Sequence, residues 1–208
     1  VTDECGAPAR FTGALFLTDP GEDGKLTPAA VERRLEWLGD QHHPQPGVVS
    51  ISQVTELGTV YTPAEIAALA DAAHAAGMHL HLDGSRIANA AASLDVPLRA
   101  FTTDAGVDVL SLGGTKNGAL GAEAIVVLNP DACTGLAYLR KTHMQLASKM
   151  RFTSAQLLAL FDDDLGVRAA AHANAMAARL RGALADDAPG AARFVVRREG
   201  PWRVKPRE

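Results

Sequence analysis

Short runs of apolar, β-branched residues alternate along the first two thirds of the chain with stretches of helical periodicity, the rhythm of β-α-β units. Gly47-Val48-Val49-Ser50-Ile51-Ser52 follows the breakers Pro44 and Pro46 and predicts a strand. Thr62-Pro63-Ala64-Glu65 then supplies an N-cap, a proline at the first helical position and a capping-box glutamate. They open a helix expected from about Pro63 to Ala76, which Gly77 stops. A second strand is predicted over Met78–Leu82, a short helix over Arg86–Leu94 and a third strand over Val107–Leu112; after a glycine-rich turn comes a fourth, over Ala124–Leu128. Thr27-Pro28 opens an earlier helix, expected through about Gly39. The alternation predicts an α/β fold with a largely parallel sheet.

From about Thr153 to Ala185 the pattern is alanine-rich and helical, interrupted by Gly166, and predicts two helices or one long kinked one. Asp186 to Gly190 breaks it, and Arg193–Arg198 reads as a further strand. The expected organisation is a sheet-bearing domain over residues 1–152, a helical link over 153–190 and the beginning of another domain over 191–208. The opening on Val1-Thr2-Asp3-Glu4 and the stop at Arg207-Glu208 suggest a piece of a longer protein, cut at both ends.

Composition narrows the function classes. Of the 208 residues 47% are hydrophobic, but 39 are alanine and only 5% of the chain is aromatic, so large core side chains are scarce. The length still supports one core, burying roughly 70% of the unfolded surface. A net charge of −4 with no basic run argues against nucleic acid and anionic lipid. Neither an apolar stretch of about 18 residues nor a signal pattern is present, which points to a cytoplasmic protein without membrane contact. Cys5 and Cys133 form no framework and are expected as free thiols.

Two clusters carry chemistry. In His79-Leu80-His81-Leu82-Asp83-Gly84-Ser85-Arg86, alternation along a strand places His79, His81 and Asp83 on one face, with Asp83 at the C-terminal end where open α/β sheets bind ligands. The histidines could ligate a divalent metal, as in a hydrolase, or could fill space between sheet and helix. The second cluster is Gly113-Gly114-Thr115-Lys116-Asn117-Gly118, a lone lysine in a glycine-rich turn. Partly withdrawn from water, its amine would have a lowered pKa and could form a Schiff base; a plain surface lysine is the alternative. A phosphate loop fits poorly, because the four-residue spacer and the glycine before the lysine are missing. Taken together, a carboxylate at one strand end and a lysine beyond the next strand are the two protein groups that pyridoxal phosphate needs, one for its ring nitrogen and one for its aldehyde.

These stretches, with Thr2-Asp3-Glu4-Cys5-Gly6-Ala7 and Thr55-Glu56-Leu57-Gly58-Thr59-Val60-Tyr61, resemble the low-specificity threonine aldolases. That is a β-eliminating-lyase-type family of the aspartate-aminotransferase fold, and the likeness runs to about Arg181. The resemblance implies a pyridoxal-phosphate-binding large domain, truncated at both ends, with the mostly parallel sheet of fold type I. It makes Lys116 the Schiff-base lysine and Asp83 the partner of the pyridinium nitrogen. Arg86 would lie by the cofactor's phenolic oxygen and the substrate carboxylate, Thr55 would line the cofactor pocket, and Lys141 and Arg151 would face the cofactor phosphate across a dimer interface. The last pair is more widely spaced here than in the commoner pattern.

The implied reaction splits a β-hydroxy-α-amino acid such as threonine at Cα–Cβ into glycine and acetaldehyde, by a base the sequence does not assign. The implied assembly is a homo-oligomer, a dimer of dimers, with no resident metal. Upstream, family members carry a phosphate-binding turn and a ring-stacking histidine, and downstream a further substrate-binding arginine. The isolated chain is therefore expected to bind cofactor poorly and turn over little. Two other functions remain open: a non-catalytic binding or oligomerisation module, and a metal-dependent hydrolase using His79 and His81.

Overall fold

Val49 and Ile51, Leu80 and Leu82, and Leu110 are buried at alternate positions on three neighbouring strands, and that alternation decides which face of the sheet meets the core. The computed structural model describes residues 4–19 and 21–187; the expected strand at Arg193–Arg198 and the domain expected over 191–208 lie outside the described residues. In chain order the described elements are α1 (Ala7–Thr12), α2 (Pro28–Glu32), β1 (Val48–Ser52), α3 (Pro63–Ala75), β2 (His79–Gly84), α4 (Ile87–Leu94), β3 (Val109–Gly113), β4 (Glu123–Val127), α5 (Leu136–Thr142), α6 (Arg151–Phe161) and α7 (Leu165–Asp187), with short 3-10 turns between them.

The strands form one sheet in the order β1-β2-β3-β4. The first three are parallel, each crossover carrying a helix, whereas β4 runs antiparallel to β3. The reason is length: only residues 114–122 join β3 to β4, too few for a parallel crossover. Register places Ser50 beside His81, and Ser52, Asp83 and Ser111 in one row. The face opposite the core is therefore lined with short polar side chains.

On the core face, α3 buries Ile66, Leu69, Ala70 and Ala73. Burying each of the larger two is worth about 1.5–3 kcal/mol. Its N-terminus forms as the sequence predicts, with the Glu65 amide donating to Thr62 Oγ1 at 3.2 Å and the Thr62 amide to Glu65 Oε2 at 2.6 Å. Glu65 also pairs with Lys25 at 2.9 Å, and those contacts offset the upward push of burial and hold its carboxyl below the usual range.

Two helix expectations need correction. The helix expected from Thr27 to Gly39 ends at Glu32, because only Ala30 and Val31 offer a buried face and a short 3-10 turn, Leu35–Trp37, replaces the rest. The alanine-rich segment is two helices, but the break falls at Asp162-Asp163-Asp164, where Asp164 takes a φ of 50°. Gly166 lies in the first turn of α7 instead.

Candidate active site

The end of β2 and the end of β3 meet because Gly113 lacks a side chain: a Cβ there would stand 2.6 Å from Ser85 Cα. Past that contact the chain folds into the tight turn Thr115–Asn117, closed by the Asn117 amide donating to the Gly114 carbonyl at 3.0 Å. The turn carries Lys116 to Ser85, and Lys116 Nζ donates to Ser85 Oγ at 3.5 Å. The Ser85 backbone N–H donates to Asp83 Oδ1 at 2.9 Å, and Ser52 Oγ donates to Asp83 Oδ2 at 3.4 Å. Ser85 thus stands between the carboxylate and the amine. Arg86, half-buried, is the next residue; its carbonyl accepts from the Asn89 and Ala90 amides in the first turn of α4, and its guanidinium has no hydrogen bond or ion pair among the described residues. Lys116 is exposed rather than partly withdrawn from water, because the turn projects beyond the sheet and only its Asn117 side is covered.

Next to Asp83 on the same face, His81 lies 2.8 Å from Ser50 Oγ through Nδ1 and 2.9 Å from Ser111 Oγ through Nε2. Burial pulls its pKa below 6.5, with Asp83 opposing in part, so the ring is held neutral between two hydroxyls and ties three strands together. Sequence reasoning passed over this clamp; serines at matching positions on flanking strands were its only signal, and they mean nothing until the register is fixed.

His79 and His81 do not converge on a metal. His79 lies 3.7 Å from Asp108 near the other end of the sheet, and among the described residues no group of three His, Cys, Asp or Glu side chains is arranged to hold an ion. Thr55 is buried in the turn after β1, its hydroxyl 2.6 Å from Thr59 Oγ1 and accepting from the Thr59 amide at 3.2 Å. The same segment is drawn toward the site by the Gln53 amide, which donates to the Asp83 carbonyl at 2.8 Å. Lys141 on α5 and Arg151 at the start of α6 are exposed, and no hydrogen bond or ion pair joins either to Asp83, Ser85 or Lys116. Arg151 rests its guanidinium 4.7 Å over the Phe152 ring. The structure therefore brings together Asp83, Arg86 and Lys116 from the expected set, adds Ser85 and His81, and leaves Lys141 and Arg151 apart. Among the described residues no helix is long and apolar enough to cross a membrane.

The chain is 45% identical over 190 residues to low-specificity L-threonine aldolases of a Pseudomonas species and of Pseudomonas aeruginosa, a match that covers 91% of this chain and 55% of each relative. The chain thus spans about half the length of the curated relatives it matches. Among solved structures, Leishmania major threonine aldolase superposes with a TM-score of 0.82 at 34% identity, over 89% of this chain and 54% of that one. Mouse CSAD shares the fold, with a TM-score of 0.57 at 16% identity, over 89% of this chain and 42% of that one. The β-eliminating lyase family matches residues 1–196, through the sheet, both motifs and α7. On that match the chain belongs to the β-eliminating lyase family, whose members depend on pyridoxal phosphate.

Proposed function

We propose that this chain is the cofactor-bearing part of a pyridoxal-phosphate-dependent aldehyde-lyase that cleaves threonine and similar β-hydroxy-α-amino acids to glycine and an aldehyde. The observation that carries the reading is Ser85, whose amide holds Asp83 and whose hydroxyl receives Lys116. The donor set fits the cofactor: an exposed amine for an aldehyde, a strand-end carboxylate for a protonated ring nitrogen, and on Arg86 a guanidinium without a partner among the described residues for a carboxylate. Pyridoxal phosphate bound there supplies an electron sink for the charge left at Cα when Cα–Cβ breaks.

The chain's own residues supply the rest. Lys116 is the attachment point, oriented by Ser85 Oγ. Asp83 keeps a proton on the ring nitrogen, and the neutral His81 beneath it adds no competing positive charge. Arg86 orients the substrate carboxylate bidentately. Thr55, satisfied within its own turn, shapes the wall beside Asp83 rather than offering a free hydroxyl. Lys141 and Arg151 serve the phosphate from a second copy of the chain, which ties the reading to a homo-oligomer. Residues 1–152 form the central part of the large domain and 153–190 the link to a smaller one. Two free thiols suit the cytoplasm.

The test is product analysis of the chain supplied with pyridoxal phosphate and threonine. Slow release of acetaldehyde and glycine, lost in Lys116→Ala, is expected. Lys116-dependent ammonia without acetaldehyde would replace the aldol cleavage by β-elimination, and no product of either kind with an intact fold would favour the non-catalytic module.

A further inference from the structure

Gly166 stands in the first turn of α7, where glycine disfavours the helix. A Cβ at that position would lie 2.8 Å from Asn117 Nδ2 and 3.0 Å from the Leu160 carbonyl oxygen. Asn117 follows Lys116 in the same turn, and its Nδ2 donates to the Gly166 carbonyl at 3.0 Å. That carbonyl is far from the last four of α7, the ones a helix leaves without partners, so the helix has no need of the bond. A second tie runs alongside it: the Leu120 amide donates to Gln156 Oε1 on α6 at 2.8 Å. Farther along α7, Asn174 Nδ2 donates to the Asn89 carbonyl at 3.1 Å and Asn89 Nδ2 donates to Asn174 Oδ1 at 2.9 Å. Asn89 belongs to α4, the helix that opens directly after Arg86. One helix therefore grips both sides of the site, the turn bearing Lys116 and the helix that continues from Asp83-Gly84-Ser85-Arg86.

We infer that Asn117 is a positioning residue: anchored on the Gly166 carbonyl with α7 as its brace, it fixes the Thr115–Asn117 turn so that the Lys116 amine is aimed at Ser85 and Asp83. The inference rests on the reading of Lys116 as the cofactor lysine. Exposed as it is, Lys116 has one side-chain hydrogen bond among the described residues, the 3.5 Å approach to Ser85, so the direction of its amine depends on the backbone beneath it. Asn117 is the half-buried residue of an otherwise exposed turn. The bond also explains why a glycine is kept at a helical position with buried surroundings: alanine at 166 would push the Asn117 amide away.

The experiment follows the rate at which borohydride traps pyridoxal phosphate on each lysine, read by mass mapping of the whole chain. The four other lysines, at 25, 141, 149 and 205, give internal controls. Asn117→Ala should slow trapping at Lys116 by about fivefold, the equivalent of one net hydrogen bond, while the other lysines keep their rates. Asn117→Asp, of nearly the same volume but unable to donate, should do the same, and Asn117→Gln, which retains the donor, should recover part of the rate. Gly166→Ala should reproduce the defect from the helix side, and adding Asn117→Ala to it should cost nothing more. Wild-type trapping at Lys116 in both Asn117→Ala and Asn117→Asp, whether or not thermal stability falls, would overturn the inference and leave the cofactor-lysine reading intact. A wild-type chain in which Lys116 is trapped no faster than the other four would overturn both.

Discussion

Asp83 and Asp108 are carboxylates of two adjacent parallel strands, one at the end of β2 and the other immediately before β3, and so at opposite ends of the strands. Asp108 is 1% exposed and well supplied with donors: it accepts from the Leu80 amide at 2.7 Å, His74 Nε2 at 2.8 Å and Asn129 Nδ2 at 2.6 Å. Burial alone would raise its pKa, but the Leu80 amide, Asn129 and His74 together hold it below 3.8. Asp83 has one good hydrogen bond and one long one, and it opens on a polar sheet face beside an amine. A carboxylate offers about four acceptor positions. Where protein donors fill them the group is structural; where they stay free, a ligand can use them.

The contrast breaks first at the amine. Lys116→Ala should abolish reducible attachment of pyridoxal phosphate at the site while leaving the unfolding transition in urea unchanged. Next comes stability: Asp108→Ala strands three donors and should cost about 3 kcal/mol, whereas Asp83→Ala should cost less than about 1 kcal/mol, both read from urea midpoints. Equal losses at the two positions would erase the distinction. Acid should separate them as well. With its folded pKa below 3.8, Asp108 contributes stability that is complete above about pH 4 and drains away as pH falls through the lower folded value. Asp108→Asn should flatten that acid arm. His81 predicts a milder shoulder, because its folded pKa lies below 6.5, so stability present above that pH declines as the unfolded imidazole takes up protons. His81→Gln should remove the shoulder in a pH series of thermal midpoints. The smallest effect is expected from Ser85→Ala, which should slow attachment at Lys116 a few-fold with no change in fold.

What was legible in the sequence was local. The capping box at Thr62, the breaker at Gly77, the strand-end Asp83 and the glycine-flanked turn of Lys116 each announce themselves within a few residues and form as their neighbours predict, although the turn leaves Lys116 exposed where partial burial was expected. What was not legible depends on partners far along the chain. The His81 clamp needs serines 31 and 30 residues away, and Asp108 draws its donors from positions 34, 28 and 21 residues distant. Strand register and the antiparallel return of β4 decide both. Helix α2 stops early for a related reason, since its periodicity continues after the surface available to bury it has ended.

The assignment of the site to Asp83 and Lys116 is tested most directly by where pyridoxal phosphate attaches. After borohydride reduction and mass mapping, the label should concentrate on Lys116 over Lys25, Lys141, Lys149 and Lys205, and Asp83→Ala should weaken that preference while Asp108→Asn preserves it wherever the chain is folded. Label spread evenly over the lysines, or a preference for Lys116 that survives Asp83→Ala undiminished, would contradict it.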